Sequence, residues 1–396
     1  MTSRELFLRH VAQTSPNPLA IEIIKAKGSE MWDNNGKRYI DLIGGISVCN
    51  LGHAHPSVIR SIQEQSEKYL HLMVYGEIIQ APQVQYASLL VNNLPASLNS
   101  VYFTNSGTEA TEGAMKLAKR ITGRTGILSF RQSYHGSTQG ALSVMGDEYW
   151  KNAFRPLLPG IITADFNDPS ALDFISDEIA MVIMETVQAE RGVIMPEKSW
   201  IKAIRDKCSE HGVLLVLDEI QVGFGRTGTL WGFQQYDIVP DILLLGKAIG
   251  GGMPLGAFIS DKKWMDQLTG NPILGHITTF GGHPVCCAAG MAAFNCLLDE
   301  SLWKQVETKA LRFKNALHHP RIKAVRSSGL LMALEFSDFA ENKKIIDRCI
   351  SKGVFTDWFL FASNCMRIAP PLNISDTLID ESCQVIMEVL DESSND

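Results

Sequence analysis

The sequence of 396 residues has little of what marks several classes of protein. Its most apolar stretch, 242–260, contains Lys247 and a glycine cluster, so we expect no membrane span. Positive charge is not in excess: 36 Lys and Arg stand against 43 Asp and Glu, and the net charge of −7 argues against nucleic acid and anionic membranes as partners. The N-terminus has no apolar core of a secretory signal, and no low-complexity tract indicates disorder.

Cysteine and metal patterns are also scarce. None of the eight cysteines forms a CxxC pair, so we expect free thiols in a reducing cytoplasm. His53 and His55 in GHAHP have no Cys or carboxylate partner at ligand spacing along the sequence. We therefore expect them to be loop residues and expect no metal site. Apolar residues nevertheless make up 45% of the chain, enough for a large core.

Short apolar runs alternate with helical patterns over most of the chain. Runs of four to six apolar residues bounded by turns are typical of strands buried on both faces. Their alternation with helices predicts a mostly parallel sheet with crossover helices. The runs are VYFT (101–104), GILSF (126–130), AMVIM (180–184), VLLVL (213–217), ILLLG (242–246) and LGAFI (255–259).

The two ends of the chain differ from its centre. WDNNGKRYIDL predicts a hairpin, because an Asn- and Gly-rich turn joins two strand-like runs. The C-terminal part combines helical patterns with the strand-like pieces ALEF and CMRIA. We predict an α/β protein with a large domain over residues 57–300, and a smaller α+β domain formed by residues 1–56 and 301–396.

Polar residues follow five of the predicted strands. Ligands of parallel sheets bind beyond the carboxyl ends of the strands, so these residues are expected to share one surface. They form a Gly-containing turn before a helix, an aromatic pair, two acids and one lysine. The segments are 105–109, 131–136, 185–188, 218–221 and Lys247.

Lys247 is the only charged residue between positions 242 and 260. Its apolar, glycine-rich flanks oppose exposure, and desolvation lowers the pKa of a lysine. Such an amine is a usable nucleophile, and the formation of a Schiff base with a carbonyl compound is its obvious use.

Asp218 follows five apolar residues and therefore needs a cationic partner. A protonated ring nitrogen would serve: at ~4 Å and an effective dielectric of ~20, the pair is worth on the order of 4 kcal/mol. A structural ion pair or a helix N-cap is the alternative. Ser106, Gly107 and Thr108 open a helical run, where backbone N–H groups bind anions, although a plain N-cap is also possible.

Two other segments resemble nucleotide-binding motifs, but each lacks a feature that such a motif requires. GFGRTG (223–228) matches G-x-G-x-x-G, but it neither follows a strand directly nor opens a helical pattern, which argues against a dinucleotide-dependent dehydrogenase. LLVLDE resembles a Walker B strand, but the sequence contains no GxxxxGK[ST].

A phosphate, an aromatic ring with a basic nitrogen and an aldehyde would satisfy all these groups, and pyridoxal 5′-phosphate contains the three. The sequence resembles the class III (subgroup II, acetylornithine/ornithine-type) aminotransferases of fold type I over nearly its whole length. The resemblance rests on GKRYIDLIGGISVCNLGHAHP, NSGTEATEGAMKLAKR, YHGSTQGALSV, ETVQAERGV, LDEIQVGFGRTG, PDILLLGKAIGGGMPLGAF, TTFGGHPV and MRIAPPLNIS.

The resemblance implies a role for each site residue. Lys247 and Asp218 are implied as catalytic, as the Schiff-base lysine and the partner of the pyridine nitrogen. Thr279 is implied as a phosphate ligand supplied by the neighbouring subunit, which makes the active enzyme a homodimer with shared sites. The remaining cofactor-binding residues are Ser106, Gly107 and Thr108 at the phosphate, Tyr134 stacked on the ring, Gln221 near the ring hydroxyl, and Glu185.

Substrate recognition is implied for a second group. Arg367 in MRIAPP matches the arginine that binds a substrate carboxylate, and Glu190 matches the acid that pairs with that arginine and frees it. Relatives acting on ornithine, acetylornithine or γ-aminobutyrate often have HGR after the stacked aromatic, whereas this sequence has HGS with Ser137.

The sequence thus predicts a cytoplasmic enzyme of amino-acid metabolism. It would move an amino group from an amino acid or ω-amine, with acetylornithine, ornithine or γ-aminobutyrate as favoured donors, to 2-oxoglutarate or pyruvate by a ping-pong mechanism. Two alternatives with the same cofactor are an aminomutase of the glutamate-1-semialdehyde type and a lyase or decarboxylase.

Overall fold

The computed structural model describes residues 1–73 and 77–392. Within them the strands are β1 (Ile23–Lys27), β2 (Glu30–Asp33), β3 (Arg38–Asp41), β4 (Ser100–Thr104), β5 (Gly126–Phe130), β6 (Ile161–Ala164), β7 (Ile179–Glu185), β8 (Leu214–Asp218), β9 (Ile242–Leu245), β10 (Gly256–Ser260), β11 (Ala324–Ser328), β12 (Leu331–Glu335), β13 (Val354–Phe355) and β14 (Cys365–Ile368).

The helices alternate with these strands over the centre of the chain. They are α1 (Ser3–His10), α2 (Gly44–Ser47), α3 (Pro56–Lys68), α4 (Ala81–Val91), α5 (Gly107–Thr122), α6 (Gln139–Ser143), α7 (Glu148–Lys151), α8 (Lys198–Glu210), α9 (Lys262–Met265), α10 (Pro284–Glu300), α11 (Val306–Ala316), α12 (Phe339–Ser351) and α13 (Asp376–Glu392).

A seven-stranded sheet with the order β4-β10-β9-β8-β7-β5-β6 forms the centre of the molecule. Its strands are buried on both faces, as their apolar runs predict: in β8, Leu214 and Val216 pack into the core that contains α5, whereas Leu215 and Leu217 pack into the core that contains α8. The predicted mostly parallel sheet with helices on both faces is therefore confirmed.

One strand departs from the parallel pattern. β10, which corresponds to the run LGAFI, pairs antiparallel with both β4 and β9. Only residues 246–255 connect β9 to β10. A parallel crossover needs a dozen or more residues, so this short connection returns the chain in the opposite direction.

Two small sheets involve the ends of the chain. The predicted hairpin is present as β2 and β3, and β3 pairs in parallel with β13 near the C-terminus in the sheet β1-β2-β3-β13. The other sheet has the order β11-β12-β14. The pairing of β3 with β13 supports our proposal that residues 1–56 and 301–396 form one small domain beside residues 57–300.

No single helix in residues 1–73 and 77–392 is long and apolar enough to cross a membrane, although the bent pair Pro284–Glu300 and Leu302–Ala316 passes on length and composition together.

Candidate active site

A cavity of about 300 Å³ lies at the carboxyl edge of the central sheet. The turns after β4, β5, β7, β8 and β9 all contribute to it, which is where parallel strands present their ligands. The cavity brings together eight residues that the sequence singles out: Ser106, Gly107, Thr108, Tyr134, Glu185, Asp218, Gln221 and Lys247. His135, Gly136, Ser137, Val187, Ile220 and Val222 complete the described lining.

The start of α5 forms one end of this cavity. Ser106 is its N-cap, and the Ser106 side chain accepts a hydrogen bond from the Glu109 N–H. A Cβ on Gly107 would come within 2.7 Å of the Ile220 side chain, so the close approach requires glycine. The first turn of a helix has N–H groups without intrahelical partners, which makes this end suited to a phosphate.

Gly136 closes the same end from the opposite side. Its φ is +128°, and a Cβ there would lie 2.2 Å from the Thr108 hydroxyl oxygen. The Thr108 hydroxyl is 2.7 Å from that of Thr138, which fixes its orientation. The cradle around the helix start is therefore formed by two glycines and two threonine hydroxyls.

Lys247 projects into the cavity from the turn after β9, in a left-handed backbone conformation with φ 50°. Its Nζ donates to Gln221 Oε1 at 3.1 Å. Burial lowers the pKa of Lys247, and the charge of Arg367 lowers it further, against the opposing influence of Glu190 and Asp218. The amine is thus partly deprotonated nearer to neutral pH than that of an exposed lysine.

Asp218 is buried at the end of β8, and both of its oxygens have partners. Oδ2 lies 2.7 Å from His135 Nδ1, and Oδ1 accepts a hydrogen bond from the Ile220 N–H at 2.9 Å. The imidazole is the partner that a buried carboxylate requires. His135 is the functional residue that the sequence analysis missed: it lies in one of the strand-end segments, and the unmatched charge of Asp218 is the signal that could have identified it.

Glu185 stands beside Asp218 in the register of β7 and β8. Burial raises the pKa of Glu185 well above its usual value, and the nearby charge of Asp218 adds to the effect. The N–H groups of Tyr134 and Ala189 each donate to its carboxylate at 3.0 Å. Glu185 therefore fixes the backbone of Tyr134 at the cavity wall.

Arg367 and Glu190 form a buried bidentate ion pair with two N–H···O distances of 2.9 Å. Burial raises the pKa of Glu190, but the Arg367 guanidinium outweighs it and the net pKa lies below the usual value. The guanidinium also lies 4.5 Å over the Phe359 ring. Both members of the pair influence the charge of Lys247, so the pair lies beside the cavity, although in the described chain it does not line it.

Two further residues that the sequence singles out are exposed. The Ser137 hydroxyl is exposed at the cavity mouth, 3.0 Å from the Tyr134 hydroxyl. Thr279 is exposed and lies outside the described lining of this cavity. Its predicted role as a ligand donated by a partner subunit stays a prediction.

Comparisons with known proteins find aminotransferases of similar sequence and fold. The acetylornithine aminotransferase of Caldanaerobacter subterraneus subsp. tengcongensis is 34% identical over 390 residues, covering 95% of this chain and 96% of the relative. The ornithine aminotransferase from Toxoplasma gondii has a TM-score of 0.91 at 28% identity, covering 99% of this chain and 95% of that structure. A thermostable (S)-enantioselective omega-transaminase from Thermomicrobium roseum has a TM-score of 0.89 at 28% identity, with coverages of 98% and 97%.

The family described as Aminotransferase class-III matches residues 11–390, nearly the full length. The fold is therefore that of the fold type I transferases, and transamination with pyridoxal phosphate is the activity that the family and its structures support. The chain belongs to the class III aminotransferase family.

Proposed function

We propose that this aminotransferase takes its amino group from an ω-amino donor of the acetylornithine, ornithine or γ-aminobutyrate type. The acceptor is 2-oxoglutarate or pyruvate, and the two half-reactions alternate in a ping-pong sequence. The observation that carries the proposal is that the desolvated Lys247 shares one cavity with the anchored Asp218 and is close enough to the ion pair Arg367–Glu190 for both of its charges to affect the pKa of the lysine.

The residues of the cavity fit pyridoxal phosphate. Two glycines leave room beside the start of α5 for a phosphate, and the buried Gln221 Nε2 has no hydrogen-bond partner among the described residues. Asp218 offers the carboxylate that a ring N–H requires. When bound, the cofactor supplies an aldehyde and a ring that withdraws electrons.

Lys247 and Asp218 have different proposed tasks. The lowered pKa of Lys247 lets its Nζ act as a nucleophile, and the same atom removes the proton from the donor carbon that bears the amine. The Asp218 carboxylate is held by His135 and by the Ile220 N–H, so its direction is fixed before any ligand binds.

Arg367 is the proposed carboxylate receptor for the oxo acid. Its planar fork binds a carboxylate through two parallel hydrogen bonds, as it binds Glu190 here. While Glu190 occupies the fork, the described lining of the cavity contains no Arg and no Lys other than Lys247 to bind a donor carboxylate next to the amine. An ω-amino donor has no carboxylate at that position, which is why the closed pair favours it.

Ser137 determines which groups are available to bind the distal end of the donor. Relatives with HGR place a cation there, whereas the hydroxyls of Ser137 and Tyr134 offer neutral hydrogen bonds. A lost charge-assisted hydrogen bond costs about 1.5–3 kcal/mol. We therefore propose that a distal carboxylate on the donor contributes less to binding here than in those relatives.

A homodimer with shared sites is part of the proposal. Exposed apolar side chains occur on segments 70–73, 77–79 and 273–280, and the contact between the His71 and Phe280 rings joins the first of these segments to the last. Such a patch on a globular protein indicates an interface. Thr279 lies in it, so docking a second copy would carry Thr279 toward the partner's cavity. The exposed residues are Leu70, Leu72, Met73, Ile78, Ile79, Ile273, Leu274, Ile277 and Phe280.

A cytoplasmic location completes the proposal, because all eight cysteines are free in the structure, as is usual in a reducing compartment.

A panel of donors tests the proposed substrate class. Each donor is mixed with the holoenzyme without an acceptor, and the loss of the bound cofactor's visible absorbance is followed. We expect rapid conversion with ω-amino donors, and with glutamate or alanine as the product of the acceptor half-reaction run in reverse, but slow conversion with other α-amino acids. Slow conversion with every ω-amino donor would contradict the proposal.

The same panel distinguishes the two alternatives. A transaminase stops after one half-reaction until 2-oxoglutarate or pyruvate is added. An aminomutase would turn over without an oxo acid, and a lyase or decarboxylase would release ammonia or carbon dioxide without one.

A further inference from the structure

Three side chains with metal-ligating atoms meet where α3 begins and α10 ends. They are His55, Cys296 and Glu300, and their ligand atoms all lie within 4.8 Å of one another. His55 Nε2 is 4.0 Å from Glu300 Oε1. His55 has no partner at ligand spacing along the sequence, because Cys296 and Glu300 are distant in the chain and come close to it only in the folded protein.

Helix geometry explains why the three meet. Cys296 and Glu300 are four residues apart on α10, so their side chains lie on the same face of that helix, one turn apart. His55 is the N-cap of α3, which packs along α10. Both helices are anchored in the core, so the three ligands come from fixed elements rather than from a mobile loop.

We propose that His55, Cys296 and Glu300 form a binding site for a divalent cation of the zinc class, which links α3 to α10. An imidazole nitrogen, a thiolate and a carboxylate oxygen are the ligands that zinc takes in proteins. Tetrahedral bonds of about 2.0–2.3 Å place the ligand atoms roughly 3.5 Å apart, so the cluster needs only a small contraction. Glu300 is exposed and free to make it.

Binding of the cation releases one proton. The cation displaces the proton of the Cys296 thiol, which passes to solvent, and no electron is transferred. An imidazole nitrogen of His55 and a carboxylate oxygen of Glu300 supply two further ligands, and water takes the fourth position. His55 also lines a cavity of about 290 Å³ between α3 and α10, which provides a route for the ion.

A neighbouring thiol and imidazole in that cavity provide the control. Cys49 and His53 also line it, and Cys49 and Cys296 are the two cysteines of the described chain that are not fully buried. His53 Nε2 is 2.7 Å from Asp41 Oδ2, so this imidazole is already held by a carboxylate. Cys49→Ser therefore removes the other partly exposed thiol of the described chain and leaves the three proposed ligands in place.

The test uses the holoenzyme without substrate, in thiol-free buffer. Cd²⁺ is titrated and the thiolate-to-metal charge-transfer absorbance is measured, and Zn²⁺ affinity is measured by calorimetry. We expect one ion per chain, loss of the absorbance in Cys296→Ser, and at least about tenfold weaker Zn²⁺ binding in Glu300→Gln and His55→Asn. Asn is a good N-cap, so the His55 variant keeps the start of α3.

Cys49→Ser and Asp299→Asn, a neighbouring acid on α10, should bind as the unchanged enzyme does. Zn²⁺ should also raise the melting temperature of the unchanged enzyme and not that of Cys296→Ser. A charge-transfer band that persists in Cys296→Ser or vanishes in Cys49→Ser would overturn the proposal. So would Zn²⁺ binding that competes with the cofactor, because that ion would occupy the active site.

Discussion

The Lys247 amine lies between opposing influences on its charge. Burial removes it from water and lowers its pKa, while the carboxylates of Glu190 and Asp218 hold the proton on. The net lowering of the pKa favours the reactive neutral amine, and the hydrogen-bond acceptor of that amine is the neutral Gln221 amide rather than a carboxylate. The residue-level environment thus prepares the nucleophile.

Lys247→Ala tests this role directly. We expect the rate of the donor half-reaction to fall by at least about 10³-fold, because the variant loses both nucleophile and proton carrier. The bound cofactor should also lose the absorbance that depends on its covalent link to the lysine. Lys262→Ala, at an exposed lysine after β10, is the control. Retention of full turnover by Lys247→Ala would refute the proposed mechanism.

Arg367→Lys separates charge from geometry in carboxylate binding. The lysine keeps a positive charge but loses the two-pronged fork that Arg367 presents to Glu190. We expect KM for the oxo acid to rise roughly 10- to 100-fold, the equivalent of one charge-assisted hydrogen bond. The donor half-reaction with a simple ω-amine should change little. An equal loss in both half-reactions would show that Arg367 is only structural.

Most of the site residues could be predicted from the sequence because they follow strands directly. A strand end fixes the position of the next residue, so Asp218 and Lys247 were predictable together. His135 was not, because its role depends on a contact across 83 residues of sequence with Asp218. Neither was the link of His55 to Cys296, for the same reason.

At the scale of elements, the GFGRTG segment acts as a connector rather than a nucleotide loop. The Arg226 side chain is fully buried and donates to the Leu330 and Pro370 carbonyls and to Asn50 Oδ1, at 2.9, 2.6 and 2.6 Å. It therefore links segments near both ends of the chain to the turn that follows β8. The glycine pattern did not predict this role, because the residues that Arg226 contacts are distant from it in the sequence.

The direction of a strand is a second property that the hydrophobic pattern does not predict. A buried apolar run predicts a strand but carries no direction, so β10 was identified without its antiparallel pairing. β11 was missed altogether, because Ala324–Ser328 is half-buried at four of its five positions and has no apolar run.

Glu219, directly after β8, is held by hydrogen bonds to other turns. Its buried carboxyl group makes the free energy of unfolding depend on pH. This group accepts hydrogen bonds from the backbone N–H groups of Gly232 and Phe233 and from the Thr186 hydroxyl. Burial, with Asp218 nearby, raises its pKa from 4.5 to about 7. Since the folded state binds the proton more tightly, the stabilisation is complete below pH 4.5 and is lost as the pH rises through 7.

Glu219→Gln measures this contribution. Between pH 4.5 and 7 the unchanged protein should lose on the order of 3 kcal/mol of unfolding free energy relative to the variant, because each pH unit contributes about 1.4 kcal/mol. Denaturant unfolding at several pH values gives the difference. Glu210→Gln, an exposed acid at the end of α8, is the control. Parallel pH profiles for wild type and Glu219→Gln would contradict the prediction.

At the scale of the whole molecule, the proposed dimer is what brings Thr279 to a cavity. The exposed apolar patch around Phe280 needs a partner surface, and a symmetric pair would bury the patch of each copy against the other. Composition and net charge held no information on this assembly, because it depends on folding that brings segments 70–73 and 273–280 together on the surface, as the contact between the His71 and Phe280 rings shows.

Mixed dimers test whether the sites are shared. Lys247→Ala and Thr279→Ala are each expected to be impaired, the second most at low cofactor concentration because it would lose a phosphate ligand. After unfolding and refolding a mixture of the two, half of the dimers contain one copy of each. If Thr279 serves the partner, one of their two sites then has both native residues, and activity recovers to about a quarter of that of the unchanged enzyme. If Thr279 serves its own subunit, every site keeps a defect and mixing restores nothing.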